Sequence, residues 1–393
     1  MNTNTTNRHR NLLSGTNPYV FVSYEHSLYF GYIAVVDPAQ NKIIERIMVG
    51  PKPVSMCLNN QEDKLYVVSN VQDSVTIIDA YSFKVIKTLP ISSSSAQIAP
   101  VAIFAAPRVN KVYVAHSGDK AVTIIDADKD EVIAQVELPD GSGYPFAFAG
   151  NMNNDFVFVA CKSKDNDKGN VVGIDVEYNT AQPVGDDIEL EFDGIHNPLT
   201  FYPNGAGLVT FGPTGMVVVS SFHAILESKA TSLLDNTVSG VYLDNNLLFC
   251  TSQEDRAYLK KFKNLFFNGQ GNITYDEFTE PASFKGQDKI RATRSQNYIG
   301  VTIQPTTSPT GGLQLYDVNT SSSKFVPLPY VGDLAFAGDS TAYVGEVNSI
   351  VPIDVGTATA LPALLIGYNS TDRITVNNII CGYSNQSLNV DLV

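Results

Sequence analysis

KVYVAHSGDKAVTIIDADKDEVIAQVEL, residues 111–138, has a gap-free counterpart 47 residues earlier, KLYVVSNVQDSVTIIDAYSFKVIKTLPI at 64–91. The two segments are identical at 11 of 28 positions, including the whole run VTIIDA. Self-similarity at a fixed period indicates a repeat architecture. The repeat therefore predicts the fold, but it does not by itself predict a function.

Each unit has the pattern of three short antiparallel strands. Apolar residues alternate in runs rich in Val, Ile and Tyr, and polar groups such as GDK and DKD separate the runs. This is typical of half-buried strands joined by tight turns. The segments PVSMCLN from Pro53 and PVAIFAAP from Pro100 add a fourth strand before each unit. Four strands in roughly 45 residues form the blade of a β-propeller.

The unit resembles the YVTN-family propeller repeat, which has a Pro-led inner strand, a Tyr-Val strand, a Val-x-Val-Ile-Asp strand and an outer strand. The sequence Tyr-Val-Thr-Asn, after which the family is named, is only partly kept here. The matching segments read YVVSN at 66–70, YVAH at 113–116 and YVFV at 19–22. The resemblance is strong from Tyr19 to Asp175 and faint beyond. It implies a fold rather than one function, since relatives serve as surface, binding and enzymatic modules.

The expected number of blades comes from counting one recognisable residue, which we call a landmark, in the third strand of each unit. The first four are 42, 47 and 49 residues apart, and the 142 residues from Asp175 to Asp317 fit three further steps. We expect one all-β propeller of four-stranded antiparallel blades, with eight blades, or seven if one faint unit is an insertion. The landmarks are Asp37, Asp79, Asp126, Asp175, Val219, Phe262, Asp317 and Asp354.

The two ends of the chain are predicted to complete one blade. Residues 1–18 are polar and predict a disordered tail, followed by a propeller domain at 19–393. The strands of 19–49 lack an inner strand, and ITVNNIICGY at 374–383 is an inner strand without a blade. Pairing the two would close the ring and remove exposed sheet edges.

The zone from Phe222 to Gln287 holds two segments with an ambiguous pattern. Residues 224–235 and 257–267 place apolar residues at spacings of three and four, which suits an amphipathic helix as well as a strand. We favour strands because the flanking segments keep the rhythm of the repeat.

The charge composition limits the kinds of molecule that the protein is expected to bind. Lys and Arg number 26 and Asp and Glu 40, so the net charge is 26 − 40 = −14. Phosphate affinity comes from clustered Lys and Arg, so we expect neither nucleic acid nor an anionic membrane as partner. The first 18 residues contain no apolar core of the length that a signal peptide needs, and no run in the chain approaches 18 apolar residues. The sequence as written predicts a cytoplasmic protein, or a secreted or surface protein if a signal peptide was removed; the oligomeric state stays open.

Known chemical motifs are not found. The four cysteines, Cys57, Cys161, Cys250 and Cys381, form no CxxC pair and lie in apolar strands, which predicts free buried thiols. No GxSxG, GxxxxGK[ST], GxGxxG, HExxH or CxxCH occurs, and the chain has no Trp. No cofactor and no dedicated metal site is predicted.

One end of the ring is the expected functional end. The loops between second and third strands and those leading into the inner strands meet at one mouth of the central channel, and loops on a rigid scaffold often carry function. Three histidines, His26, His116 and His196, map to this mouth and are the candidate catalytic residues, since imidazole transfers protons near neutral pH. The alternative is that they are surface or loop-packing histidines.

Charged residues at the same mouth are the candidate ligand contacts. Arg291 lies in a proposed inner strand and is expected to contact an anion, with an inter-blade ion pair to an Asp as the alternative. Carboxylates from several blades could hold a hard divalent cation such as calcium, or form a solvated acidic rim. The full set of candidate contacts is Arg291, Glu25, Asp119, Glu346 and Arg373.

Two functions of different class follow. The first is a ligand- or protein-binding propeller with its site at the channel mouth. The alternative is a propeller enzyme of lyase, hydrolase or lactonase type that uses the mouth histidines, with a divalent cation as an optional partner. In both cases the partner is a small molecule or a protein at the mouth.

Overall fold

The computed structural model describes most of the chain. The described ranges are 19–27, 29–92, 97–150, 155–165, 168–184, 190–191, 199–201, 207–212, 215–220, 228–230, 237–243, 247–252, 259–267, 273–280, 286–305, 311–367 and 374–381. Within them the chain forms 34 strands and no helix. Accordingly, no described segment is a helix of the length and apolarity that crossing a membrane requires.

The described strands pair into eight antiparallel sheets, which we number in chain order. Sheet 1 contains β1 (Val20–Ser27), β2 (Phe30–Asp37) and β3 (Lys42–Val49); sheet 2, β4 (Pro53–Leu58), β5 (Lys64–Ser69), β6 (Ser74–Asp79) and β7 (Val85–Pro90); sheet 3, β8 (Pro100–Ala105), β9 (Lys111–His116), β10 (Ala121–Asp126) and β11 (Glu131–Glu137); sheet 4, β12 (Tyr144–Ala149), β13 (Phe156–Lys162), β14 (Lys168–Asp175), β15 (Ala181–Pro183) and β16 (Leu190–Glu191).

The second half repeats the plan. Sheet 5 contains β17 (Leu199–Phe201), β18 (Gly207–Gly212), β19 (Gly215–Ser220) and β20 (Ser228–Ala230); sheet 6, β21 (Thr237–Leu243), β22 (Leu247–Ser252), β23 (Leu259–Phe267) and β24 (Ile273–Glu280); sheet 7, β25 (Gln287–Ala292), β26 (Tyr298–Ile303), β27 (Gly311–Asp317) and β28 (Ser322–Leu328); sheet 8, β29 (Leu334–Ala337), β30 (Thr341–Gly345), β31 (Ser349–Asp354), β32 (Thr359–Ala360) and β33 (Leu364–Leu365). The last strand, β34 (Thr375–Cys381), belongs to sheet 1.

The predicted closure between the chain ends is confirmed. β34 pairs with β1 in antiparallel register from Val20 opposite Cys381 to Glu25 opposite Thr375. The first strand of each sheet contacts the first strand of the next, and the cycle returns from β29 through β34 to β4. A closed ring of inner strands with sheets radiating outward is a β-propeller.

A recurring turn explains the aspartate landmarks. In sheet 2, Asp79 Oδ1 accepts hydrogen bonds from the backbone nitrogens of Tyr81 at 3.0 Å and Ser82 at 2.7 Å. The residue four positions after the aspartate has a positive φ, which completes the turn into the fourth strand. Six sheets share this turn, and its positive-φ residues are Asn41, Phe83, Asp130, Asn179, Ser321 and Ala358.

The faint middle of the chain is made of strands where it is described. The landmarks Val219 and Phe262 lie in β19 and β23, the third strands of sheets 5 and 6. The two ambiguous segments contribute β20 and β23, so the strand interpretation is confirmed for their described residues.

The core lies between the faces of neighbouring sheets. Tyr66 and Val68 of sheet 2, for example, pack in one cluster with Ile103 and Val112 of sheet 3. All four cysteines are buried thiols outside any disulfide, as predicted. Burial raises the pKa of the Cys57 and Cys161 thiols well above their usual value, so both stay protonated and act as small apolar groups.

Side chains also join neighbouring sheets at the end opposite the mouth. At the joint between sheets 2 and 3, Lys64 Nζ lies 2.9 and 2.8 Å from the two carboxylate oxygens of Asp130. The Tyr66 hydroxyl donates to Asp130 Oδ1 at 2.9 Å. One carboxylate therefore serves two donors from the neighbouring sheet.

The joint between sheets 3 and 4 repeats this arrangement with one change. Lys111 Nζ donates to Val176 O at 2.6 Å and to Asn179 Oδ1 at 2.8 Å, so Asn179 occupies the place of Asp130. The hydroxyl of Tyr113, the counterpart of Tyr66, is buried and has no hydrogen-bond partner within the described residues.

Candidate functional site at the channel mouth

The antiparallel pairing brings two sets of chain ends to one end of the ring. The start of each first strand lies opposite the end of the second strand, as in Pro53 with Ser69 and Pro100 with His116. Register shifts follow directly, between Pro53 and Ser55 in sheet 2 and between Gln287 and Ile290 in sheet 7. Such β-bulges redirect side chains near functional sites. We call this end of the ring the mouth.

One buried carboxylate joins three successive sheets at the mouth. Asp333 directly precedes β29, and its side chain is 0% exposed. Lys289 Nζ and an Arg291 terminal nitrogen, both from β25, lie 3.3 and 3.6 Å from Asp333 Oδ1. From β34, Asn378 Nδ2 and the Ile379 nitrogen donate to Oδ2 at 2.6 and 2.9 Å. We call Lys289, Arg291, Asp333 and Asn378 the Asp333 cluster.

The electrostatics of the cluster favour an ionised carboxylate. Burial by itself would raise the pKa of Asp333, but Lys289, Arg291 and the backbone N–H groups outweigh it and hold the pKa below its usual value. Two cations thus face one anion. Asp288, next to Lys289 in the chain, is also buried, and its Oδ2 accepts a hydrogen bond from Gln304 Nε2 at 2.8 Å.

His116 ends β9 at the mouth but is enclosed. Its side chain is fully buried, and neither ring nitrogen has a hydrogen-bond partner in the described part of the chain. The backbone of Gly118 donates to Ile98 O at 2.8 Å, and Asp73 accepts from the nitrogens of Ile98 and Ala99, which ties the preceding loop to the neighbouring sheet. Burial lowers the pKa of His116 to about 4 against the opposing pull of Asp119 and Asp73, so the ring is neutral at pH 7.

The other predicted residues occupy separate positions around the ring. His26 and Glu25 lie at the end of β1 in sheet 1, where His26 is exposed and its ring meets Tyr32 edge-on at 6.4 Å. Asp119 is exposed in sheet 3. In sheet 8, burial raises the pKa of Glu346, which accepts a hydrogen bond from Ser349 Oγ at 3.3 Å. His196 and Arg373 lie outside the described residues.

The sequence named Arg291 as an anion contact with an inter-blade ion pair to an Asp as the alternative, and the structure shows such a pair, with Asp333. Asp333 and Asn378 were not among the predicted residues, although Asp333 follows Gly332 just ahead of an inner strand. The Glu62 carboxyl was also missed: burial raises its pKa to about 7 in spite of the opposing Arg294 charge. Within the described residues, no group of three or more His, Cys, Asp or Glu is placed to hold a metal ion.

No family model matches the chain, and no curated protein matches it either. Solved structures do match. A dihydro-heme d1 dehydrogenase, NirN, solved in complex with DHE, is similar at 14% identity and a TM-score of 0.66, over 93% of this chain and 75% of that one. Apo AztD from Citrobacter koseri is similar at 14% identity and a TM-score of 0.62, over 93% and 98%.

A putative 6-phosphogluconolactonase from Bacteroides uniformis is similar at 11% identity and a TM-score of 0.52, over 79% of this chain and 95% of that one. Identities this low establish the fold alone. They leave membership of the YVTN family as a prediction. These neighbours are β-propeller proteins, and this chain is a β-propeller of four-stranded antiparallel sheets whose ring is closed by its own last described strand.

Proposed function

We propose that this protein is a binding propeller that takes a small anionic molecule at the channel mouth. The observation that carries the proposal is the Asp333 cluster, in which Lys289 and Arg291 share a single carboxylate oxygen. Their side chains are 24% and 17% exposed, so both still reach solvent. Two partly exposed cations on one inner strand can bind an anion. They stand out because the chain as a whole has a net charge of −14.

The geometry leaves both cations with donors to offer. At 3.3 and 3.6 Å from Asp333 Oδ1, neither makes a short charge-assisted bond, for which about 2.7–2.9 Å is usual. A guanidinium carries five N–H donors and an ammonium three. One Arg291 terminal nitrogen also donates to Ile290 O at 3.0 Å, which fixes the side chain and leaves further N–H groups for a ligand.

The related folds support a small-molecule partner. NirN was solved in complex with DHE, so a propeller of similar architecture accommodates a ligand. The enzymatic alternative rests on the mouth histidines, of which His116 is enclosed and His26 lies two sheets away in the ring. A divalent cation belongs to that alternative only.

Thermal shift and calorimetry with inorganic phosphate, acetate and citrate test the proposal. A ligand at 100 times its Kd stabilises the folded state by about 2.7 kcal/mol, which raises the Tm by a measurable amount. We expect at least one of these anions to bind. Lys289→Ala and Arg291→Ala should each lower its affinity by about tenfold or more, because each removes a charge-assisted contact.

The matched control is Arg108→Ala, since Arg108 is also paired with an aspartate, Asp155, but lies at the opposite end of the ring. It should leave anion binding unchanged. If Lys289→Ala and Arg291→Ala lower the Tm without altering the affinity of any anion, or if no anion binds, the Asp333 cluster is a structural ion pair and the proposal fails.

A further inference from the structure

A groove between sheets 3 and 4 interrupts an otherwise regular joint. At the joint between sheets 2 and 3, Asn60 Nδ2 donates across the sheets to Ala106 O, Pro107 O and Val109 O at 2.8, 3.0 and 3.2 Å. The position 47 residues later is Pro107, whose side chain has no donor. The joint between sheets 3 and 4 therefore lacks this cross-link.

A cavity of about 750 Å³ opens there, at the end of the ring opposite the mouth. Small-molecule sites typically occupy about 300–1,000 Å³. Its apolar surface includes Val109, Phe156 and Tyr178, and the Tyr178 side chain is 71% exposed although it is a large aromatic group. An exposed ring beside a cavity of ligand size is a surface that a partner can cover.

The charged lining has an acidic excess. Arg108 and Lys111 face Asp155, Asp175 and Glu177, which gives 2 − 3 = −1. Arg108 is paired with Asp155, and Lys111 donates to Val176 O and Asn179, so each cation already has a partner in or beside the groove. Burial lowers the pKa of Lys111, although Asp175, Asp126 and Glu177 oppose it.

Two carboxylates keep unused acceptors. Asp175 Oδ1 accepts from the nitrogens of Glu177 and Tyr178, each at 2.8 Å, which holds the turn that carries both side chains. Within the described residues no hydrogen bond reaches Asp175 Oδ2 or the Glu177 carboxylate. The rings of Tyr178 and Phe156 add the faces that attract a cation.

We infer that this groove is a second ligand site, which binds an amine with an apolar body. The ammonium group contacts Glu177 and Asp175 Oδ2, and the apolar body covers Phe156 and Tyr178. The inference is independent of anion binding at the mouth, because it uses other residues at the other end of the ring.

Calorimetry with phenethylamine tests the inference, with phenylacetate as the probe of similar size and opposite charge. We expect phenethylamine to bind saturably and phenylacetate not to bind. Glu177→Gln should weaken the binding of phenethylamine by about tenfold, which corresponds to the loss of one charge-assisted contact. The double variant that also carries Tyr178→Ala should bind it more weakly still. Both residues are exposed at the surface, so their variants should fold.

Two controls separate this site from general effects. Glu137→Gln removes an exposed carboxylate at the end of β11 in sheet 3, outside the groove, and Lys289→Ala alters the mouth; neither should change phenethylamine binding. The inference is overturned if no saturable heat appears, if phenylacetate binds equally well, or if Glu137→Gln weakens the amine as much as Glu177→Gln does.

Discussion

The joint between sheets 2 and 3 and the joint between sheets 3 and 4 are built on the same repeat but differ in their acceptor. Lysine and tyrosine are kept, as Lys64 with Tyr66 and Lys111 with Tyr113, whereas the acceptor is Asp130 in the first joint and an amide in the second. Asp130 and Asn179 have nearly the same φ, 55° and 56°. The turn needs only a residue that tolerates positive φ, so strand structure is preserved while the chemistry between sheets changes.

The largest expected effect comes from removing the acceptor of the first joint. Asp130→Ala removes the carboxylate that Lys64 and the buried Tyr66 hydroxyl share, and leaves them the Ala127 carbonyl at 2.9 and 3.4 Å; it should cost about 4 kcal/mol, as for other broken buried pairs. Asn179→Ala removes one hydrogen bond to Lys111 and should cost about 1 kcal/mol. Urea unfolding measures both, and equal losses would mean that the two joints are equivalent.

Acid should destabilise the protein through His116, which lies at the mouth end of sheet 3. The pKa of His116 is about 4 in the folded protein and 6.5 unperturbed, so the unfolded state binds more protons between these values and stability falls as the pH drops through this window. The loss attributable to His116 is about 3 kcal/mol at pH 4, from about 1.4 kcal/mol per pH unit.

The variant His116→Phe isolates this contribution, because phenylalanine cannot take up a proton and other titrating groups are unchanged. The variant should lose less stability than the wild type between pH 7 and pH 4. Parallel pH profiles for the two proteins would contradict the enclosed, neutral histidine.

The two tyrosines should respond differently to loss of the hydroxyl. Tyr66→Phe removes a hydrogen bond to a carboxylate and should cost about 2 kcal/mol. Tyr113→Phe removes a buried hydroxyl that has no partner within the described residues, so it should be neutral or slightly stabilising. The paired Tm values decide this, and a large loss from Tyr113→Phe would reveal an acceptor for that hydroxyl.

The smallest effect should come from rebuilding the first joint in the second. Asn179→Asp places a carboxylate beside Lys111, at the position that accepts from lysine and tyrosine in the first joint, and should stabilise the protein by about 1 kcal/mol. The companion variant Asp130→Asn, which puts the amide of the second joint into the first, should destabilise the protein. If Asn179→Asp destabilises, repulsion from the nearby Asp175 and Glu177 exceeds the gain.

The fold was predictable because its signals are local. A 47-residue repeat, turn-forming aspartates such as Asp79 and unpartnered strands at both chain ends were enough to infer the propeller and its closure. Each of these features acts through neighbours in the chain or through one hydrophobic pattern. The strands of sheets 5 and 6 also kept that pattern where the aspartates are missing.

The candidate site was less predictable because its residues meet only across the ring. Arg291, Asp333 and Asn378 come from three sheets and have no local spacing. The position of His116 at a strand end suggested a mouth residue open to a ligand, but its side chain is fully buried, and the nearby nitrogens of Ile98 and Ala99 are bound to Asp73 of the neighbouring sheet. A single sequence does not report how a loop folds back.

The pairing of β1 with β34 also constrains biosynthesis. Ser23 and Asn378, which meet in sheet 1, are 355 residues apart. At about 5–20 residues per second, a ribosome needs roughly 20 to 70 s to make the intervening chain. For that time the edge of β1 that will pair with β34 keeps its backbone groups unpaired, so sheet 1 is the sheet of this ring whose strands wait longest for completion.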